Sequence, residues 1–420
     1  MRDETKCLHA GYTPKNGEPR VVPIVQSTTY VYDSTDEVAS VFDEPTKSLI
    51  YSRFANPTVM AVEEKIAALE GGVGAMCTSS GQAASLLSIL NLCNAGDSFL
   101  AAAEIYGGTV NLFTHTLKKL GIECIYIEKG MTDEEIDALF KPNTKAVFGE
   151  TIANPALTVL DIERYANIAH RHGVPLIVDN TFATPVLCKP FDFGADIVIH
   201  STTKYMDGHA VQGGGIIVDS GKFDWTNGNF PDFTEPDVTY HGISYTETYG
   251  KAAYIIKARM QLMRDFGAYP AAHSAFLLNL GLETLALRME RYCENALKVA
   301  KYFEQSDKIE SVTYPGLESD ENHALAEKYL KGSSGVISIV IKGGRDNAVK
   351  FMDSLKLASN EVHVADIRTC VLHPASETHR QLSDEQLVLA GIEPGMVRFS
   401  VGLENVDDII EDIEQALANI

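Results

Sequence analysis

The residues able to do chemistry in this chain gather at the ends of short apolar runs. Ile197-Val198-Ile199-His200 reads as a strand and leads directly into Ser201-Thr202-Thr203-Lys204. A lysine delivered to a partly dry pocket holds its proton less tightly, and its neutral amine can attack a carbonyl to form an imine. Asp179 closes the preceding run, Leu176-Ile177-Val178. A carboxylate there can pair with a protonated ring nitrogen. Thr78-Ser79-Ser80-Gly81-Gln82 joins a third run to a helical pattern. Small residues let a backbone approach a ligand closely, and a helix N-terminus offers free N–H groups to a phosphate. Glu104-Ile105-Tyr106-Gly107-Gly108-Thr109 follows a fourth run, and the Tyr106 ring can lie on a planar ligand. Each feature alone has a plainer reading. Aspartates cap turns, lysines sit on surfaces, Ser and Gly fill β–α turns, and single aromatic rings pack into cores.

The combination is more specific than its parts. A phosphate cradle (Ser80, Gly81, Gln82), a ring stacker (Tyr106), a ring-nitrogen partner (Asp179) and an imine-forming lysine (Lys204) occur in this chain order, with hydroxyls at Ser201 and Thr203 that can donate to phosphate. The order is similar to the aminotransferase-like arrangement of enzymes that use pyridoxal-5′-phosphate (PLP). PLP, attached to Lys204 as a Schiff base, is therefore the expected cofactor.

The elements that must position these residues follow from periodicity. Apolar runs at Gly74–Thr78, Phe99–Ala103, Cys124–Ile127, Ala146–Gly149, Pro175–Asp179, Ala195–His200 and Gly215–Val218 alternate with helical patterns. The alternation predicts a mostly parallel sheet with helices on both faces, and ligands in such sheets sit beyond the carboxyl ends of the strands. Thr58 is expected to cap a helix through Val62, Ile66 and Leu69, stopped by Gly71-Gly72. Thr132-Asp133-Glu134-Glu135 is a capping-box pattern. Residues 219–250, with Trp225 and many turn formers, read as a long loop excursion. A second unit opens with a helical pattern through Leu277, Leu280, Leu285, Leu287 and Met289. It continues with strand-like runs at Val336–Ile341, Thr369–Leu372 and Val397–Val401, and ends on a helix carrying Ile409, Ile413, Leu417 and Ile420 on one face. The expected division is an N-terminal arm at 1–55, a large PLP-binding domain at 56–269, and a smaller α+β domain at 270–420. The expected fold is thus α/β of the type I, aminotransferase-like kind.

Composition narrows the partners. The chain has 420 residues, a formal net charge of −22 and seven cysteines. So acidic a surface repels phosphate backbones and anionic bilayers, which argues against nucleic-acid and membrane partners. An odd number of widely spaced cysteines without a C-x-x-C disfavours a disulfide framework or structural zinc. His170-x-His172 lies in a helical pattern, where i,i+2 side chains diverge, and no H-E-x-x-H occurs, so no metal is expected. No apolar run reaches the roughly 18 residues that span a bilayer. The polar opening Met1-Arg2-Asp3-Glu4-Thr5-Lys6 shows no signal peptide, and a cytoplasmic location is expected.

The sequence resembles, nearly end to end, the Cys/Met-metabolism (transsulfuration) family of PLP enzymes. The likeness is carried by Tyr51-x-Arg53-x-x-Asn56-Pro57-Thr58, Ser80-Gly81-Gln82, Tyr106-Gly107-Gly108-Thr109, Glu150-x-x-x-Asn154-Pro155, Asp179-Asn180-Thr181 and Ser201-x-Thr203-Lys204-Tyr205. It extends through Gly281-Leu282-Glu283-Thr284, His373-Pro374-Ala375-Ser376-x-Thr378-His379 and Val397-Arg398-x-Ser400-Val401-Gly402-Leu403-Glu404. The resemblance implies that Tyr51 and Arg53 reach a neighbouring subunit's cofactor phosphate, so that sites are shared in a tetramer of two dimers. It implies that Thr181 belongs to the cofactor site, that Arg398 holds the substrate α-carboxylate, and that Asn154, counted with the substrate-binding residues, touches that carboxylate or the cofactor's ring hydroxyl. Within the family the likeness is to the O-acetylhomoserine sulfhydrylase branch, through Asn227–Thr248 and His373–Leu382. That implies γ-replacement on O-acetyl-L-homoserine by sulfide or methanethiol, with Lys204 moving protons and Tyr106 assisting. The alternative is a methionine γ-lyase or a cystathionine γ-synthase or lyase using the same residues. Methionine γ-lyases usually carry cysteine where this chain has Gly108. The stretch Val362-His363-Val364-Ala365-Asp366 departs from the Asn-Val-Gly-Asp common among sulfhydrylases.

Overall fold

Seven runs pair into one sheet: β1 Gly74–Thr78, β2 Ser98–Ala102, β3 Glu123–Ile127, β4 Thr144–Glu150, β5 Leu176–Asp179, β6 Ile197–His200 and β7 Gly215–Asp219, in the order β1-β7-β6-β5-β4-β2-β3. β6, β5, β4, β2 and β3 are mutually parallel, while β7 runs antiparallel to both β6 and β1. Every residue of β2, β6 and β7 is buried. Strands covered on both faces carry continuous apolar side chains rather than an alternating pattern. This computed structural model describes residues 1–43, 49–378, 380 and 393–420. His379, Gln381 and Leu382, part of the resemblance, lie outside the described residues.

The connecting helices start and stop where local chemistry dictates, with one correction. The helix Pro57–Glu70 is capped by Asn56, whose side chain accepts from the backbone of Thr58 and Val59, and it ends at Gly71 in the left-handed region, φ 83°. Thr58, the expected cap, has another task. Its hydroxyl donates to Pro23 O at 2.7 Å and accepts from Val25 N at 2.9 Å. Asn56 also donates to Val25 O at 2.8 Å, so the arm is pinned to the helix start. The Thr132–Glu135 capping box forms as predicted.

Residues 219–250 are not a loose excursion. They include the short helices Pro231–Thr234 and Tyr245–Tyr249. Trp225 is buried and stacks on Phe233 and Tyr254 at ring-centroid distances of 4.6 and 5.3 Å. The turn-rich composition hid an aromatic cluster that anchors the segment to the large sheet's core.

The second unit is built on β8 Ile309–Thr313, β9 Val336–Ile341, β10 Ser359–Asn360, β11 Cys370–Leu372 and β12 Met396–Ser400, ordered β10-β11-β12-β9-β8. β8 and β10 went unpredicted. Both lie at the sheet's edges, where Ile309-Glu310-Ser311-Val312-Thr313 and Ser359-Asn360 need little apolar content. The long helical pattern resolves into two helices, Ala272–Glu283 and Leu285–Glu304, broken at Thr284. A core of its own joins this sheet to Leu285–Glu304 and the final helix Val406–Leu417. Among the described residues no helix is long and apolar enough to cross a membrane.

Candidate active site

Parallel register brings the carboxyl ends of β4, β5 and β6 together: Glu150 lies opposite Asp179, and Asp179 opposite Ile199. Asp179 Oδ1 accepts from the backbone N–H of Thr181 at 2.9 Å and from its hydroxyl at 2.5 Å. The same Thr181 oxygen accepts from Ser201 N at 2.8 Å. Thr181 thus ties the aspartate to the turn carrying the lysine. Burial pushes the Asp179 carboxyl up, while the Thr181 hydrogen bonds and the nearby His200 hold it down. Glu150 is driven well above the usual carboxylate range by burial and by Asp179 beside it. Its Oε1 accepts from Tyr106 N at 2.7 Å, which fixes the start of the Tyr106 turn.

Lys204 stands in the turn after β6, with its backbone N–H on Ser201 O at 3.2 Å. Burial, and then the nearby Arg398 cation, pull its amine down to about 8. Desolvation and a like charge both penalise the ammonium form. Raising the pH through about 8 therefore frees this amine, whereas an ordinary lysine stays charged until about 10.4. In the cofactor-free protein, modification of Lys204 by a limiting amine-reactive reagent, followed by mass spectrometry, should climb with a midpoint near pH 8. A midpoint above 10 would contradict this.

Arg398, in β12, is buried and faces the same space. Its Nη1 donates to Asn154 Oδ1 at 3.2 Å and its Nη2 to His363 O at 3.0 Å. The two residues expected to hold the substrate are thus in contact across 244 residues of sequence.

The phosphate side is built by close approach. Ser80 caps the helix Gly81–Leu90, its hydroxyl accepting from Ala83 N at 3.1 Å. A Cβ on Gly81 would lie 2.6 Å from Ser201 Cβ, and one on Gly215 would lie 2.3 Å from Ser80 O. Glycine is required at both positions for the two turns to meet. Gln82 Oε1 is buried with no partner among the described residues. The Thr203 hydroxyl is engaged by Gly214, donating to its O at 3.1 Å and accepting from its N at 3.0 Å. Tyr106 is 48% exposed. A Cβ on Gly108 would lie 2.4 Å from the Tyr106 ring and 2.9 Å from Gln82 Nε2, so ring and amide share one small space.

The structure therefore brings together Ser80, Gly81, Gln82, Tyr106, Asp179, Thr181, Ser201, Thr203 and Lys204, with Asn154 and Arg398 paired beside Lys204. Tyr51 and Arg53 form a pair of their own on the arm, the guanidinium 5.0 Å from the Tyr51 ring centroid and Nε buried without a partner among the described residues. His170 and His172 bond different carboxylates, Asp196 and Asp137, each at 2.7 Å. No group of residues able to hold a metal occurs among the described residues.

His363 is a residue that motif reading missed as a site member. Burial and the Lys204 cation pull its imidazole down to about 4, and its Nε2 is buried without a partner among the described residues. The departure at Val362–Asp366 was the only signal of it. The residues fit PLP: a lysine amine with a weakened hold on its proton, a carboxylate anchored at the adjoining strand end, a helix N-terminus, and an unpartnered buried Gln82 Oε1.

Comparison with known proteins gives the family. A family model described as Cys/Met metabolism PLP-dependent enzyme matches residues 4–418. The chain is 44% identical over 431 residues to the O-acetyl-L-homoserine sulfhydrylase of Leptospira meyeri, covering 100% of this chain and 97% of the relative. It is 47% identical over 419 residues to the homocysteine synthase of Schizosaccharomyces pombe, covering 99% and 97%. The fold matches, with a TM-score of 0.95 and 36% identity over the whole of both chains, the crystal structure of a Campylobacter jejuni protein assigned as an O-acetylhomoserine (thiol)-lyase and carrying a pyridoxyl-lysine monophosphate. Strand-end geometry, cofactor chemistry and end-to-end similarity converge on one assignment: the chain belongs to the Cys/Met metabolism family of PLP-dependent enzymes.

Proposed function

We propose that this chain catalyses γ-replacement on O-acetyl-L-homoserine by sulfide or methanethiol, giving homocysteine or methionine and acetate. The observation that carries the chemistry is the Lys204 amine, brought down to about 8 beside Arg398. The choice of reaction is supported by sulfhydrylase and homocysteine synthase relatives at 44% and 47% identity across the chain.

When bound, PLP supplies an electron sink for the charge left by removal of the substrate's α-proton. The residues of the chain do the rest. Lys204 holds the cofactor, then takes the α-proton and moves protons onward; its weakened hold on H⁺ suits a base working near neutrality. Asp179, its orientation fixed by Thr181, would pair with the ring nitrogen. Ser80, Gly81, Gln82, Ser201 and Thr203 would line the phosphate, Thr203 with its hydroxyl held by Gly214, and Tyr106 would cover the ring. Arg398, with Asn154, holds the substrate carboxylate in the planar, two-pronged manner that a guanidinium allows. Gly108 leaves the Tyr106 ring where a cysteine side chain would displace it, which supports replacement over a γ-lyase reading.

Residues 1–55 act as an arm, 56–269 as the cofactor domain and 270–420 as the C-terminal domain. Tyr51 and Arg53 of the arm complete the phosphate site of a second copy, in a tetramer of two dimers. The buried, unpartnered Arg53 Nε and the exposed apolar Val31 and Leu8 support that role. Seven free cysteines suit a reducing, cytoplasmic setting.

Steady-state assay with acetyl-, succinyl- and phosphohomoserine plus sulfide tests the reading. Homocysteine should form fastest from the acetyl ester. Ammonia and a keto acid from methionine, or cystathionine with added cysteine, as the fastest reaction would overturn it.

A further inference from the structure

A cavity of about 690 Å³ opens at the root of the arm, where the helices Asp3–His9, Pro57–Glu70 and Ala272–Glu283 pack together. None of the candidate active-site residues lines it. Its volume falls in the roughly 300–1,000 Å³ range of small-molecule sites. Lys65, on the helix Pro57–Glu70, stands in its wall and is 2% exposed. Among the described residues its ammonium has no hydrogen bond and no ion pair, yet Nζ is not sealed from the cavity. Burial pulls this amine below its ordinary value, and the Glu283 carboxylate restores it only in part. A buried cation is costly unless paired. The position therefore calls for an anion that the chain does not supply.

The natural partner is present but committed elsewhere. Glu283 lines the same cavity, half-buried at the end of the helix Ala272–Glu283. Its Oε1 accepts from Asn279 Nδ2 at 3.1 Å, and it makes no ion pair with Lys65. Asn279, also in the wall, is 1% exposed, and its Oδ1 is buried without a partner among the described residues. One helix thus presents an unpaired cation, and the other a carboxylate braced by an amide. Arg20 adds a second cation to the wall, where Glu283 is the only carboxylate among the described lining residues. So positive a lining stands out in a chain of net charge −22. Tyr12, Pro14 and Val22 supply apolar surface beside these groups.

We propose that this cavity binds a free α-amino acid with an apolar side chain. The carboxylate would lie on Lys65 and Arg20, the ammonium on Glu283 beside Asn279, and the side chain against Tyr12 and Val22. A zwitterion answers both unpaired charges at once. A simple carboxylate leaves Glu283 unmet, and a simple amine leaves Lys65 unmet. Bound there, the amino acid bridges the root of the arm to both helices, at a place separate from the substrate's.

Equilibrium dialysis of L-norleucine against the holoprotein tests this, after borohydride reduction so that the amino acid cannot exchange with the cofactor's imine. One saturable site per chain is expected. Hexanoate and hexylamine each lack one of the two charges and should bind at least about tenfold more weakly, the worth of one charged hydrogen bond. Lys65→Met keeps the buried stem and removes the charge. It should weaken L-norleucine about tenfold or more, while the melting temperature holds or rises because an unpaired buried cation is gone. Glu283→Gln is nearly isosteric and keeps the assignment testable should Lys65→Met fold poorly. It should weaken L-norleucine about tenfold and leave hexanoate binding unchanged. No saturation below about 10 mM, equal binding of hexanoate, or undiminished affinity in Lys65→Met overturns the proposal. So does binding that is lost in Arg398→Ala and kept in Lys65→Met, which would place the amino acid at the candidate active site.

Discussion

Lys204→Ala lowers turnover at least about a thousandfold while leaving the fold intact. Two functions disappear at once, covalent attachment of the cofactor and proton transfer at the substrate carbon. Proton transfer by a positioned side chain alone is worth roughly 10²–10⁴-fold. Stability should hold or rise, because the amine is partly desolvated beside the Arg398 cation, and alanine removes that unfavourable interaction. Steady-state rates alongside a thermal melt separate the two effects. A Lys204→Ala protein keeping a tenth of wild-type turnover would contradict the assigned role.

Asp179→Asn is the second large effect, a loss of roughly 10²–10⁴-fold in turnover. Breaking a buried charge pair by removing one partner costs about 3–5 kcal/mol, and each 1.36 kcal/mol is a factor of ten in rate. The amide is nearly isosteric and its oxygen still accepts from Thr181, so the turn to Ser201 survives. What is lost is the negative charge proposed to pair with the ring nitrogen. Since burial disfavours the Asp179 carboxylate, the variant protein should unfold at the same or a higher temperature than wild type. Full activity in Asp179→Asn would remove the aspartate from the site, and a collapse of the fold would show that its main task is structural.

Much of this was legible because β–α units write themselves in continuous apolar runs bounded by polar turns. The seven strands of the large sheet appear within about two residues of their expected bounds, and the candidate site lies at the carboxyl ends of β1, β2, β4, β5 and β6. The edge strands β8 and β10 were not legible, since a strand with one open side needs few apolar residues. The Asn56 cap was missed because Thr58 is equally suited by type, and only the arm's contacts with Pro23 and Val25 decide between them. The burial of 219–250 depends on Trp225 stacking on Phe233 and on Tyr254 outside the segment, a pairing that composition does not reveal.

The site divides in the same way. Lys204, Asp179 and the Ser80–Gln82 turn announce themselves because each follows its own strand. His363 does not, because it is brought beside Lys204 and Arg398 only by contacts distant along the chain.

The central claim is one covalent attachment, and borohydride reduction of the holoprotein followed by peptide mass spectrometry tests it most directly. The account predicts a phosphopyridoxyl mass on the peptide containing Lys204 and on no other. An adduct on a different side chain, or no adduct at all, would contradict it.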